Sequence, residues 1–88
     1  MTRKRVIVSG RVQGVFFRDT ARRRAEAAGL AGWIRNTPEG AVEAVFEGEP
    51  EAVDELVDFC GRGPSRAEVA SVDVEEEQPE GLSGFEVR

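Results

Sequence analysis

Apolar positions along this chain change their period several times, and each change marks an element. Arg5 to Ser9 sets β-branched residues on both faces of an extended run, which predicts a strand covered on both sides and interior to its sheet. From Phe17 the apolar residues move to helical spacing at Phe17, Ala21, Ala25 and Ala28, and Gly29 stands where a helix end favours a left-handed residue. The small alanine face predicts close packing on a sheet, with Leu30 sealing the end. Leu30 to Asn36 then forms a short strand around Trp33, Ile34 and Arg35, and Asn36 to Gly40 is dense in turn formers. In Ala41 to Glu47, Val42, Ala44 and Phe46 face one way and Glu43, Val45 and Glu47 the other, which predicts a hairpin whose second strand has one mostly wet face. Asn36 sits at the base of that hairpin.

Gly48 interrupts the strand, and Glu49, Pro50 and Glu51 open a second helix, with proline suited to the first turn and acids matching the positive end of the dipole. Its stripe is Val53, Leu56, Val57 and Cys60, and Gly61 is expected to end it. After a loop over Arg62 to Arg66, Ala70, Val72 and Val74 alternate with Ser71, Asp73 and Glu75 as a half-exposed strand. Glu75, Glu76 and Glu77 read as a solvated strand end, because neighbouring side chains in a strand leave on opposite faces. Gln78 to Gly84 is a turn-rich link, and Phe85 to Val87 adds a short final strand. The order β-α-β-β-α-β, with right-handed crossovers, places two helices on one face of an antiparallel sheet. The expected class is therefore α+β, a ferredoxin-like sandwich, with residues 1–88 forming one domain. That fold hosts many functions and names none.

Composition narrows the chemistry. The 88 residues contain no histidine, which removes the commonest general base and metal ligand and argues against Ser–His or Cys–His catalysis and most zinc sites. The single cysteine, Cys60, excludes an intrachain disulfide and lies on an apolar stripe, where burial is expected instead of reactivity. No stretch has the length of a signal-peptide core or a membrane span, so a soluble cytoplasmic protein without a membrane partner is expected. The net charge of −5 argues against a nucleic-acid partner. It hides a gradient: residues 1–24 hold eight basic groups (Arg3, Lys4, Arg5, Arg11, Arg18, Arg22, Arg23, Arg24) against Asp19 alone. Steering of a small anion to that end is one reading, and a solvated helix face for Arg22 to Arg24 is the other.

The loop Ser9 to Arg18 gathers the chemistry. Gly10 and Gly14 free the backbone, the loop feeds its amides into a helix start, and Arg18 arrives as that helix begins. Curled backbone N–H groups backed by a helix N-terminus favour a phosphate or carboxylate, and a guanidinium fork matches two oxygens of such a group. A plain strand-to-helix connection has the same spacing, so both readings stand on the loop alone.

Two motifs decide between them. Gly10 to Arg18, reading GRVQGVFFR, resembles the G-x-V-Q-G-V-x-F-R loop of acylphosphatases, and Gly32 to Val42, reading GWIRNTPEGAV, with Gly48 beyond, is similar to that family's second motif. The resemblance spans essentially the whole chain. It departs at Ile34, where a smaller residue is more usual, and in the absence of tyrosine, and neither touches the chemistry. It implies an enzyme that hydrolyses a small-molecule acyl phosphate to a carboxylate and inorganic phosphate, with no metal or other cofactor. On that resemblance Arg18 and Asn36 are the catalytic residues, and the backbone amides of Val12, Gln13, Gly14, Val15, Phe16 and Phe17 bind the phosphoryl group. Asn36 orients the attacking water, whereas the residue alone reads as a turn cap. Thr37 is expected to support Asn36 or the turn, Arg11 to project into solvent, Arg35 to pair with a nearby acid, and Gln13 to act through its backbone, with the role of its side chain open. A monomer is expected.

Rival readings come from other classes. A non-catalytic anion-binding regulatory module would keep the cradle without a water-orienting amide, and a stand-alone carbamoyl phosphate hydrolase would differ in substrate. RNA-recognition modules share the element order, but the strands here lack a cluster of aromatics for base stacking.

Overall fold

The computed structural model describes residues 1–88, and its elements run β1 (Thr2–Arg11), α1 (Phe17–Ala27), β2 (Ala31–Asn36), β3 (Val42–Gly48), α2 (Pro50–Arg62), β4 (Glu68–Glu77) and β5 (Phe85–Val87). The strands hydrogen-bond in the order β4-β1-β3-β2-β5. Four of them pair antiparallel, while β5 joins β2 in parallel, so the sheet is mixed. The expected ferredoxin-like order is thus present, with the short final strand extending one edge. No helix is long and apolar enough to cross a membrane.

Both helices cover the same face. α1 lies over β2 and β5, α2 over β1, β3 and β4, and the helices touch each other. Val6, Val8, Ile34, Val42, Ala44 and Phe46 from the sheet meet Phe17, Ala21 and Ala25 of α1 and Val53, Leu56, Phe59 and Cys60 of α2 in one core. The rings of Phe17 and Phe59 stand 5.6 Å apart, joining the helices where the first of them begins. Gly29 follows α1 in a left-handed conformation, and the Leu30 amide donates back to Ala25 as that leucine seals the end. The second helix differs from expectation: Phe59 replaces Val57 on its buried stripe, and the chain turns at Gly63 because Gly61 is still helical.

The helix-free face corrects two further expectations. β1 is interior, but helices cover only its Val6 and Val8 side; Arg3, Arg5 and Ile7 stand on the open side. β3, expected to have a wet face, is buried along its whole length, with Glu43 4 % and Glu47 1 % exposed. Cross-strand cations explain this. Glu43 accepts from Arg5 Nε at 2.6 Å and Arg35 Nε at 2.7 Å. Burial alone would raise its pKa, but these two guanidinium groups outweigh that and hold it below the ordinary value. Glu47 accepts from the amides of Glu80, Gly81 and Leu82 at 2.9, 2.9 and 3.0 Å, and Arg3 Nη1 lies 3.4 Å away. A carboxylate thereby pins the link that leads into β5. The acidic run at the end of β4 falls opposite Arg5, Lys4 and Arg3 in register, and Arg3 Nε donates to Glu77 at 3.0 Å.

Candidate active site

The loop after β1 is shaped from both ends. Between Ser9 and Gly10 the pairing with β4 slips by a bulge, and a Cβ on Gly10 would stand 2.3 Å from the Glu68 carbonyl oxygen. Gly10 is therefore required by the close approach of β4, whereas Gly14, at φ +73 in open space, supplies the turn itself. The side chains of Val12 and Val15 turn down into the core and fix the loop from beneath. Phe16 then enters α1 as a left-handed N-cap at φ 63 and ψ 25, with no side-chain cap on the helix. None of the amides from Val12 to Phe16 donates to a carbonyl or a side chain. The first amides of α1 also lack intrahelical partners, as at any helix start. The loop is a curl of free donors on the positive end of a helix dipole, which suits an anion.

Arg18 lies in the first turn of α1, half-buried and without an ion pair. Asn36, the last residue of β2, shares the helix-covered face with Ile34 and so comes up beside the loop. Its Oδ1 is buried and has no hydrogen-bond partner in the protein. Both residues line one open cavity of about 520 Å³, together with Val12, Gly14, Phe16, Phe17, Asp19, Arg22 and Val87. Free donors and an unmatched acceptor around one space make a site that can hold an anion and a water molecule at once.

The hairpin is held against the loop by Gln13. Its Nε2 donates to the carbonyls of Thr37 at 2.9 Å and Ala41 at 2.8 Å, so its side chain ties the cradle to the turn that carries Asn36. The side chain, left open by the sequence, thus has a structural role beside the expected backbone one. Thr37 supports the turn as expected, with its Oγ1 accepting from the Ala41 amide at 3.1 Å. Arg35 pairs with Glu43, and Arg11 is exposed.

The structure largely dissolves the basic pole. Arg3, Lys4 and Arg5 pair with Glu47, Asp54 and Glu43. At about 3.3 Å per residue, β1 carries Arg3 roughly 20 Å from the loop. Arg22 bridges Asp19 and Glu26 at 2.9 Å each, Arg23 joins Asp19, and Arg24 stacks 4.6 Å over the Phe59 ring. Arg18 thus remains the unpaired cation of the cavity lining. Its surroundings place Asp19 below its ordinary pKa, chiefly through the Arg22 hydrogen bond.

Of the residues singled out in the sequence, Val12, Gly14, Phe16, Phe17, Arg18 and Asn36 come together around the cavity, while Gln13 and Val15 stay outside its lining. Asp19, Arg22 and Val87 were missed as lining residues. A helical repeat of four could have brought Arg22 onto the face of Arg18, with Asp19 three residues before Arg22 as its partner, but nothing in the sequence reveals that β5 docks beside β2.

The acylphosphatase family profile matches residues 4–87. A protein of Rubrobacter xylanophilus named acylphosphatase is 64 % identical over 87 residues, covering 98 % of this chain and 79 % of its own length. One of the same name from Haloarcula marismortui is 56 % identical over 87 residues, covering 99 % of this chain and 96 % of its own. The crystal structure of acylphosphatase from Bacillus subtilis superposes with a TM-score of 0.95 at 36 % identity, covering 100 % of this chain and 99 % of that one.

Proposed function

The chain belongs to the acylphosphatase family, and on that premise we propose that Arg18 and the backbone amides of Val12, Gln13, Gly14, Val15, Phe16 and Phe17 hold the phosphoryl group of an acyl phosphate while Asn36 directs the attacking water. The enzyme hydrolyses a carboxyl-phosphate anhydride to a carboxylate and inorganic phosphate. Phosphoryl transfer requires positioning and charge stabilisation more than covalent help, because charge spreads over three equatorial oxygens. The Arg18 fork and the free amides meet those oxygens, and the Asn36 amide oxygen accepts a hydrogen bond from the water opposite the leaving group. The water oxygen bonds to phosphorus as the bond from phosphorus to the acyl oxygen breaks, and the carboxylate leaves with that electron pair. The water proton passes to a phosphoryl oxygen, so the step needs no protein base and no metal ion.

The observation that carries this reading is the unpartnered Asn36 Oδ1 beside a loop of unpartnered amides. A module that only bound an anion would have no use for that acceptor. The test mixes purified protein with acetyl phosphate, with and without chelator, and follows phosphate release. Turnover is expected to survive chelation, to fall by at least about 10²- to 10³-fold in Arg18→Ala, the scale of losing one well-aligned transition-state donor, and to collapse in Asn36→Ala, which leaves the water undirected. A folded wild-type protein that hydrolysed no acyl phosphate would overturn the reading. We read residues 1–88 as one domain, acting as a cytoplasmic monomer. The buried free thiol of Cys60 fits a reducing compartment, and both sheet edges discourage pairing, one by its three-residue length and the other by its carboxylates. Light scattering on a sizing column checks the oligomeric state.

A further inference from the structure

Resting on the phosphoryl site just described, we infer that the acyl group of the substrate packs against the Phe16 side chain and Val87, so that these two side chains set how far the enzyme discriminates an aromatic or extended apolar acyl group from acetyl. The cavity, at about 520 Å³, is of the size that holds a small organic ligand and leaves room beyond a phosphoryl group. Four large hydrophobic residues of the chain are exposed: Met1, Phe16, Val74 and Val87. Met1 is terminal and Val74 lies on the edge strand β4, but Phe16, 65 % exposed, and Val87, 41 % exposed, border the same cavity. They come from opposite ends of the sequence and meet there because β5 pairs with β2, where Val87 stands next to Ile34, two residues from Asn36.

Phe16 also bears a cost that burial does not offset. It is the one residue other than glycine with positive φ, a conformation unfavourable for a bulky L residue. Strain of that kind persists where the surrounding structure imposes it, and it gathers at ligand clamps. Here it falls between the loop of free amides and the start of α1, and the ring stands exposed at the cavity. A benzoyl or similar acyl group leaving the phosphorus would cover both exposed apolar surfaces, whereas an acetyl or carbamoyl group is too small to reach across them.

The test compares kcat/KM for benzoyl phosphate and acetyl phosphate in one protein, so that the ratio cancels effects on the phosphoryl site. Phe16→Asn keeps a residue that tolerates the left-handed conformation and removes the apolar ring; Phe16→Leu keeps apolar bulk. Relative to wild type, the benzoyl-to-acetyl ratio is expected to fall about tenfold in Phe16→Asn and about threefold in Val87→Ser, and to stay within about twofold in Phe16→Leu. If benzoyl and acetyl phosphate decline together in Phe16→Asn, the ring acts on the cradle and this inference is overturned while the hydrolase reading stands. If the wild type hydrolyses neither compound, both fail.

Discussion

Replacing Glu47 with glutamine isolates the interaction that fastens the last strand to the sheet. The carboxylate of Glu47 is 1 % exposed and receives three amides at 2.9–3.0 Å, two of them, from Gly81 and Leu82, on Oε2. In Glu47→Gln an NH2 group must stand where one of these oxygens was. If it takes the Oε2 place, two donors face a donor. Hydrogen bonds to a charged group contribute about 1.5–3 kcal/mol each, so losing two costs at least about 3 kcal/mol. Arg3 keeps Glu77 at 3.0 Å and Glu80 at 3.4 Å as counter-charges, so the expected loss stays at about 3 kcal/mol. Against a total stability of about 5–15 kcal/mol this is severe, and 3 kcal/mol corresponds to a fall in melting temperature of roughly 12–24 °C for a domain of this size. Urea unfolding followed by the fluorescence of Trp33, the single tryptophan, measures it.

The same variant carries a pH signature. Hydrogen bonding from the Glu80 amide is the largest influence on Glu47, burial opposes it, and Leu82, Arg3 and Gly81 help to hold its pKa below the ordinary 4.5. A carboxyl whose folded pKa is depressed contributes stability above its unfolded pKa and loses it as pH falls through the folded value. The gap between wild type and Glu47→Gln should therefore be constant from pH 6 to 8, taken as roughly the plateau of that titration, and narrow below about pH 4.5. A loss smaller than about 1 kcal/mol at neutral pH, or a gap independent of pH down to acid unfolding, would refute the reasoning.

Other variants probe the site and the core. Gln13→Leu removes the donor to Thr37 and Ala41, and should cost about 2 kcal/mol in urea titrations and, by letting the Asn36 hairpin drift, at least about tenfold in kcat on acetyl phosphate; full activity would show that the cradle and hairpin hold their spacing without it. Burial pushes the Cys60 thiol up to about 12, so a disulfide reagent at pH 8 should leave the native protein unlabelled and react once urea has unfolded it; rapid native labelling would contradict the packed position.

Much of the architecture is visible in period and punctuation. Phe17, Ala21 and Ala25 lie on one helical face whatever the fold, and Gly29 ends that helix by its own backbone preference. The sandwich order follows because right-handed crossovers leave few alternatives. Glu43 and Glu47 show the limit of such reading. Alternation of polar and apolar residues reports which face a side chain takes but not what lies across the strand, where Arg3 and Arg5 arrive from a distant segment and Arg35 from the neighbouring strand of the hairpin. The basic cluster at the start of the chain misleads for the same reason, since its charges are cancelled by partners that only the tertiary fold brings near, Glu43 and Glu47 across the sheet and Asp54 on α2.

The chain by itself determined the loop from Ser9 to Arg18, the likeness of two motifs to one enzyme family, and the identity of Arg18 and Asn36 as the residues to watch, because local backbone preference and motif spacing are properties of neighbours in sequence. Tertiary structure decided what surrounds them. Gln13 reaches over to the hairpin, Asn36 faces the loop with its acceptor unmatched, and Val87 stands at the cavity rim because Glu47 pins residues 80–82 and sends β5 alongside β2. Each of these depends on a pairing between segments far apart in the chain, and the free energy of such contacts is set by geometry that no local pattern encodes.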